Sequence, residues 1–298
     1  MDDKTCVFED NRHLLEGLAY RMLGTLADAQ DVVQDTYLRW SHADTSQVRN
    51  PQSWLVTVCS RLAVDAMKSA RVRREAYYGV WLPEPFVDDR AVNPAKQVEI
   101  DDTVSVALML ALESLSPEER AAFLLQEIFD YSFDEVATIL GKSTAACRKL
   151  ASRARARVRA AKPRFHASPN EHRRLVDAFL QAARSGDLDR LKAVLAEAVE
   201  LHSDGGGRVE AVPEVLRGAD HVARFFMRIW AHLTKTHSTV EVNPRWFNGA
   251  PGVLIYEGGQ LATALSVAIE NGTIQRIYAL RNPEKLAAFE HPGLSPAQ

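Results

Sequence analysis

The stretch Lys142–Arg164, KSTAACRKLASRARARVRAAKPR, constrains this chain more than any other. It holds nine basic residues (Lys142, Arg148, Lys149, Arg153, Arg155, Arg157, Arg159, Lys162 and Arg164) and no acidic one. On a helix, Cys147, Leu150, Ala151, Ala154 and Val158 fall at i, i+3, i+4, i+7 and i+11, a narrow stripe of mostly small apolar side chains. Such a stripe lets the helix dock closely on another helix and leaves a wide cationic arc that suits a phosphate-lined groove. Upstream, Ser132 is placed to cap a short helix carrying Val136, Ala137, Ile139 and Leu140, Gly141 permits a tight turn, and Ser143 opens the basic helix. Short helix, glycine turn, basic helix is the order of a DNA-binding helix-turn-helix. A charge run alone fits a solvated helix equally well, so the rest of the chain decides.

At 298 residues the chain calls for two or three domains. Its net charge of −3 excludes a generally basic nucleic-acid coat protein, so any DNA contact depends on locally segregated charge. Three scattered cysteines, Cys6, Cys59 and Cys147, offer neither a disulfide framework nor a zinc site. The N-terminus is too charged for a signal peptide, and no apolar run approaches membrane length. These features predict a cytoplasmic protein with no membrane partner, no metal and no cofactor.

In residues 1–75, apolar spacing predicts a helix over 8–22 ending at Gly24, a second over 27–40, and a third from Gln52 to about Arg74 opened by Pro51. The second would bury Ala29, Val32, Val33, Thr36, Tyr37 and Trp40 and present Asp28, Asp31, Gln34 and Asp35; Tyr37, Trp40 and Trp54 read as core. The run DAQDVVQDTYLRW followed by NPQSWLVTVCSRLAVDAMKSARVRR resembles region 2 of the extracytoplasmic-function sigma factors of bacterial RNA polymerase. The resemblance implies that Asp28, Asp31, Gln34 and Asp35 face the clamp helices of the polymerase β′ subunit. It also implies that Gln47, Arg49, Asn50, Arg61, Asp65 and Lys68 lie at the −10 promoter element. Arginine, asparagine and lysine suit phosphate and unstacked bases.

Residues 76–102 form a Pro-containing acidic connector, too polar to bury much. Yet Tyr77, Tyr78, Trp81, Leu82 and Phe86 are costly to leave in water, so WLPEP should dock on something. The first domain and a basic polymerase channel are the two destinations weighed.

In residues 103–164, a helix over 103–115 leads to Ser116, placed to cap SPEERAAFLLQEIF, and then to the helix-turn-helix. The whole run from Leu115 to Val158 is similar to sigma region 4, whose established partners are the −35 element and the polymerase β flap. By position, Ser143, Thr144, Ala145, Arg148, Lys149 and Ser152 would approach base edges, and Arg153, Arg155, Arg157 and Arg159 would hold phosphates.

Residues 168–290 read as helices followed by strands, with Asn271–Gly272 as a two-residue hairpin turn, giving an α+β cone built on a curved antiparallel sheet. They resemble the SnoaL-like branch of the nuclear-transport-factor-2 fold. Sigma factors with such a fused domain form a known group in which WLPEP, DGGGK-like and NPDKL-like motifs recur; here they stand as WLPEP, DGGGR and NPEKL. The resemblance implies cis regulation of the sigma activity, with Trp81, Pro83, Asp204, Gly205, Gly206, Asn282, Pro283 and Lys285 as the regulatory positions. The fold class expected is therefore multidomain: two all-α sigma domains and an NTF2/SnoaL-like cone.

A competing reading makes the last domain a ligand-binding module or an enzyme fused to a DNA-targeting module. His202, Asp204, His237, Trp246 and Tyr256 would line its pocket, since a carboxylate near a histidine is the minimum for proton transfer. It leaves room for a small-molecule ligand. Against catalysis, an aspartate before three glycines often serves the turn itself.

Overall fold

The computed structural model describes residues 3–87, 104–161, 167–236 and 239–290. Its first helical set is α1 (Asp3–Leu23), α2 (Leu26–His42) and α3 (Pro51–Glu75). Gly24, at φ +75°, turns the chain between α1 and α2. The core is made by Leu15, Leu18, Val32, Val33, Leu55 and Cys59, all buried. Trp40 and Trp54 pack 5.2 Å apart, and the Trp40 indole donates to the Lys4 carbonyl at 2.8 Å. Tyr37 packs tilted against Phe8; of the three aromatics expected in the core Trp40 is buried, whereas Tyr37 and Trp54 are half-buried.

The second set is α4 (Val106–Glu113), α5 (Pro117–Glu127), α6 (Phe133–Leu140) and α7 (Thr144–Ala161). Both predicted caps are complete boxes: Ser116 with Glu119 and Ser132 with Glu135 exchange side-chain and backbone bonds, each worth about 1 kcal/mol. Gly141 ends α6 in the left-handed region at φ +64°, which lets α7 start within three residues. Cys147, Ala151, Ala154 and Val158 are buried, so the small apolar stripe does dock.

The two sets form one compact unit over 3–76 and 108–161. Arg120, fully buried, donates to the Arg21 carbonyl at 2.8 Å and pairs with Glu113 at 2.5 Å. Arg74 reaches the same Glu113 and the Leu23 carbonyl. Arg61 on α3 donates to Ile139 O and Thr138 O, the last carbonyls of α6, at 2.9 and 3.2 Å.

The second unit holds 77–87, 104–107 and 167–290. It comprises α8 (Pro169–Ser185), α9 (Leu188–Ala193), β1 (Leu195–Asp204), β2 (Leu216–Arg217), α10 (Ala219–Thr236), β3 (Val240–Phe247), β4 (Ala250–Glu257), β5 (Gln260–Glu270), β6 (Thr273–Leu280) and α11 (Pro283–Leu286). The strands are ordered β2-β1-β6-β5-β4-β3. The sheet corrects one expectation: it is mixed, because β1 runs parallel to β6. A helix and four strands separate these two in sequence, and this long crossover brings β6 back in the direction of β1. One face carries Val199, Leu201, Val253, Ile255, Leu265, Val267 and Ile277, which pack with Phe179, Leu180, Leu191 and Val222 of the helices. Asn271 and Gly272, both at positive φ, form the expected hairpin turn, and Asn248–Gly249 repeats the device between β3 and β4.

Candidate functional sites: a cationic helix and a connector clasp

Docking of the α7 stripe leaves Ala145, Arg148, Lys149, Ser152, Arg153 and Ala156 exposed along one arc, with Arg159 exposed further on. Ser143, also exposed, accepts from Ala146 N at 3.2 Å and so caps the helix. The Thr144 hydroxyl is committed to Asp134 at 2.8 Å, pinning the first turn of α7 to that of α6. The Arg148 guanidinium lies over the Phe133 ring, 5.7 Å from its centroid. Arg155 is bound by Glu127 and Gln126, which raises its pKa chiefly through the Glu127 hydrogen bond. Arg157 pairs with Glu119 at 3.0 Å. Of the four arginines assigned to phosphates, two are thus held by carboxylates of their own unit, whereas Arg153 and Arg159 lie exposed. Lys162 and Arg164 lie outside the described residues.

On α2, Asp31, Gln34 and Asp35 are exposed together with Leu38, an apolar side chain 46% exposed that sequence reasoning passed over. Asp28 is half-buried and accepts from the Thr25 hydroxyl at 2.7 Å. Arg49 and Asn50 are exposed, but Asn50 also caps α3 by accepting from Ser53 N at 3.1 Å. The side chain of Gln47 lies outside the described residues. Asp65 and Lys68 pair with each other at 2.8 Å, and Arg61 is occupied by α6 as above.

The connector docks on the C-terminal domain, a destination not among the two weighed for it. Asp204, fully buried at the end of β1, fills all its acceptor positions there. Its Oδ1 accepts from the Tyr77 hydroxyl at 2.6 Å and Gly206 N at 3.0 Å, and its Oδ2 from Leu82 N at 2.9 Å and Lys285 Nζ at 2.7 Å. Lys285, 7% exposed, also donates to Leu82 O at 2.5 Å and sits 4.5 Å from the Trp81 ring and 5.0 Å from that of Tyr77. Asn282 caps α11, with Pro283 in its first turn, and donates to the Tyr77 hydroxyl at 2.9 Å. Pro83 is buried. Burial, followed by the bond to Asp204, pushes the Tyr77 phenol well above its ordinary value. The glycines are required sterically. A Cβ on Gly205 would meet Val209 O at 2.4 Å, and one on Gly206 would meet Asn282 Nδ2 at 2.4 Å.

Asp204 therefore serves both the turn and the clasp, with no lone pair left for proton abstraction. His202 instead faces Glu200, 3.1 Å away, and burial holds its pKa below the ordinary value. Trp246 and Tyr256 sit half-buried on β3 and β4, and His237 lies outside the described residues.

The structure thus holds a helical unit carrying a cationic helix and an α+β unit that clasps the connector. Residues 7–73 match Sigma-70 region 2 and residues 105–158 match Sigma-70, region 4. The ECF sigma factor SigJ of Mycobacterium tuberculosis is 37% identical over 287 residues, covering 93% of this chain and 91% of the relative. The probable ECF sigma factor SigI of the same organism is 35% identical, over 96% and 95%. The crystal structure of M. tuberculosis SigJ superposes with a TM-score of 0.75 at 32% identity, covering 99% of this chain and 100% of that one. The chain belongs to the extracytoplasmic-function family of RNA polymerase sigma factors. It directs promoter-specific transcription initiation together with RNA polymerase and promoter DNA, and its last domain is an α+β unit with helices packed on a six-stranded mixed sheet. Among the described residues no helix is long and apolar enough to cross a membrane.

Proposed function

We propose that the C-terminal domain, residues 168–290, regulates initiation in cis by holding the connector between the −10 domain, residues 1–75, and the −35 domain, residues 103–164. The observation that carries this is the saturation of buried Asp204 by the connector groups of Tyr77 and Leu82 and by Lys285 of the NPEKL tail. Three separated motifs converge on one carboxylate, and removing it leaves a buried ammonium without a counterion, a costly change. A small-molecule ligand of the cone would act by loosening that hold.

In the same reading, Asp31, Gln34, Asp35 and Leu38 meet the β′ clamp helices, with Asp28 as support. Region 4 meets the β flap. Arg49, Asn50 and Arg61 approach the −10 element along with Gln47, and Asp65 and Lys68 flank them. Ala145, Arg148, Lys149 and Ser152 meet −35 base edges, with Ser143 and Thr144 at the helix start. Arg153 and Arg159 hold phosphates.

Transcription reconstituted with core polymerase tests this, comparing the full chain, a chain ending near Pro163 and Asp204→Asn. Promoter-specific transcripts are expected only with core enzyme, and Asp204→Asn should shift their yield several-fold in the same direction as truncation. Equal yields from all three chains would remove the cis-regulatory reading, and transcripts from no promoter would remove the contact assignments.

A further inference from the structure

We infer that Asn248 is a positioning residue which limits how far the −10 and −35 domains can separate. This rests on the reading that the C-terminal domain acts through the connector, but it arises from a different part of the fold. Asn248, 2% exposed, occupies the first turn position between β3 and β4 at φ +50°. Its backbone N–H donates to Phe86 O at 2.8 Å and its Oδ1 accepts from Phe86 N at 3.2 Å. Its Nδ2 donates to Val104 O at 2.9 Å. One side chain thus grips the connector at two points 18 positions apart, and Val87 and Val104 beside the grip are buried.

The consequence is one of length. From the end of α3 at Glu75 to the start of α4 at Val106 there are about 30 residues, enough to span roughly 100 Å when extended. With Phe86 and Val104 on one asparagine, the chain between them adds nothing to the reach, and about 13 residues, roughly 45 Å, remain. Asp204 holds both Tyr77 and Leu82, which shortens this to roughly half again. Elements named −10 and −35 are about 25 base pairs apart, or about 85 Å at about 3.4 Å per pair. Subtracting roughly 15 Å for the radius of each small domain leaves about 55 Å for the connector to bridge. The gripped connector falls short of that distance and the released one exceeds it. Asn248 must therefore let go of Phe86 or Val104 before both elements are read together.

The experiment uses full-length chains with core polymerase on a promoter carrying both elements. Asn248→Gly keeps the positive φ and removes the side-chain grip, while Asn248→Asp keeps the acceptor for Phe86 N and loses the donor to Val104. A third chain, Phe86→Cys/Val104→Cys, is joined by a short bis(methanethiosulfonate) crosslinker, which forms a disulfide with each thiol by displacing methanesulfinate and is cleaved by reductant, with wild type treated identically to account for native thiols. At limiting polymerase, both Asn248 variants should give at least threefold more transcript than wild type. The joined chain should lose at least tenfold and recover when the linker is cleaved. Full activity in the joined chain, or no gain in either Asn248 variant whose cone remains folded by thermal melting, overturns the inference. If Asp204→Asn is silent while joining Phe86 to Val104 abolishes transcription, the length limit stands and the Asp204 reading falls. The reverse pattern sinks Asn248 alone.

Discussion

Arg153 and Arg155 carry the same charge two positions apart on one helix, yet their surroundings assign them different work. Arg153 is exposed, whereas Arg155 is bound by Glu127 and Gln126. Arg153→Ala or Arg159→Ala should weaken holoenzyme binding on every promoter and reduce the log–log salt slope by about 0.9 each, the value for one lost phosphate contact. Arg155→Ala should leave that slope unchanged and cost at most about 1 kcal/mol of stability, as for other partly exposed pairs. Salt titrations of promoter binding, read beside thermal melts, separate the two. Phe133 adds a specificity prediction. Its ring lies under Arg148, so, if Arg148 meets a −35 base as proposed, Phe133→Leu should relax the preference at that base, with Phe133→Tyr retaining it. A panel of −35 sequences with single base changes would decide this; an unchanged preference in Phe133→Leu would leave the ring only a packing role. At this scale the sequence told which residues are polar and near a helix start, but not their partners. Thr144 and Asp134 meet only because the Gly141 turn folds α7 back on α6.

Local signals located most elements: the caps at Ser116 and Ser132, Pro51 at the start of α3, and the glycines at 24 and 141 act within a few residues of themselves. Long-range pairing was another matter. The parallel β1–β6 match and the seat of the connector both join residues far apart; Tyr77 and Asp204 are separated by 127 positions. No periodicity encodes such a match, although the aromatic content of 77–86 signalled that some surface had to receive it. Asn248 had a visible signal, the Asn-Gly pair that also marks the 271–272 turn, but its grip on the connector did not. The helix face toward the sheet also carries a pH effect. His172 on α8 is 5% exposed, its Nε2 meets Val267 O at 3.0 Å, and burial depresses its pKa; His202 on β1 is depressed in the same way. A depressed histidine contributes stability that is present above its unfolded pKa, about 6.5, and lost as pH falls through its folded value. The melting temperature of the C-terminal domain should therefore fall below about pH 6.5, and His172→Gln should remove part of that slope and leave the part due to His202. An identical slope in His172→Gln would show that this histidine does not titrate between the two states.

Across the whole molecule, two sets of restraints oppose separation of the promoter-reading domains, and they act through different atoms. One is direct: Arg74 on α3 reaches Glu113 on α4, Arg120 on α5 reaches the Arg21 carbonyl of α1, and Arg61 fastens the end of α6. The other is the connector, held at Asp204 and Asn248. Because both must yield before a −10 and a −35 element can be read at once, their costs add in free energy and their effects on a limiting equilibrium multiply. Arg74→Met keeps the apolar stem of the side chain while releasing Glu113 and the Leu23 carbonyl, and Arg120 retains its own partner. At limiting polymerase, Arg74→Met and Asn248→Gly should each raise transcript yield. The double variant should show the product of the two gains to within about a factor of two, the spread of about 0.5 kcal/mol expected for independent sites. A double variant no better than the stronger single one would mean that one restraint alone governs separation. Yields compared at several polymerase concentrations would reveal this, because gains that come from separating the domains shrink once polymerase is in excess.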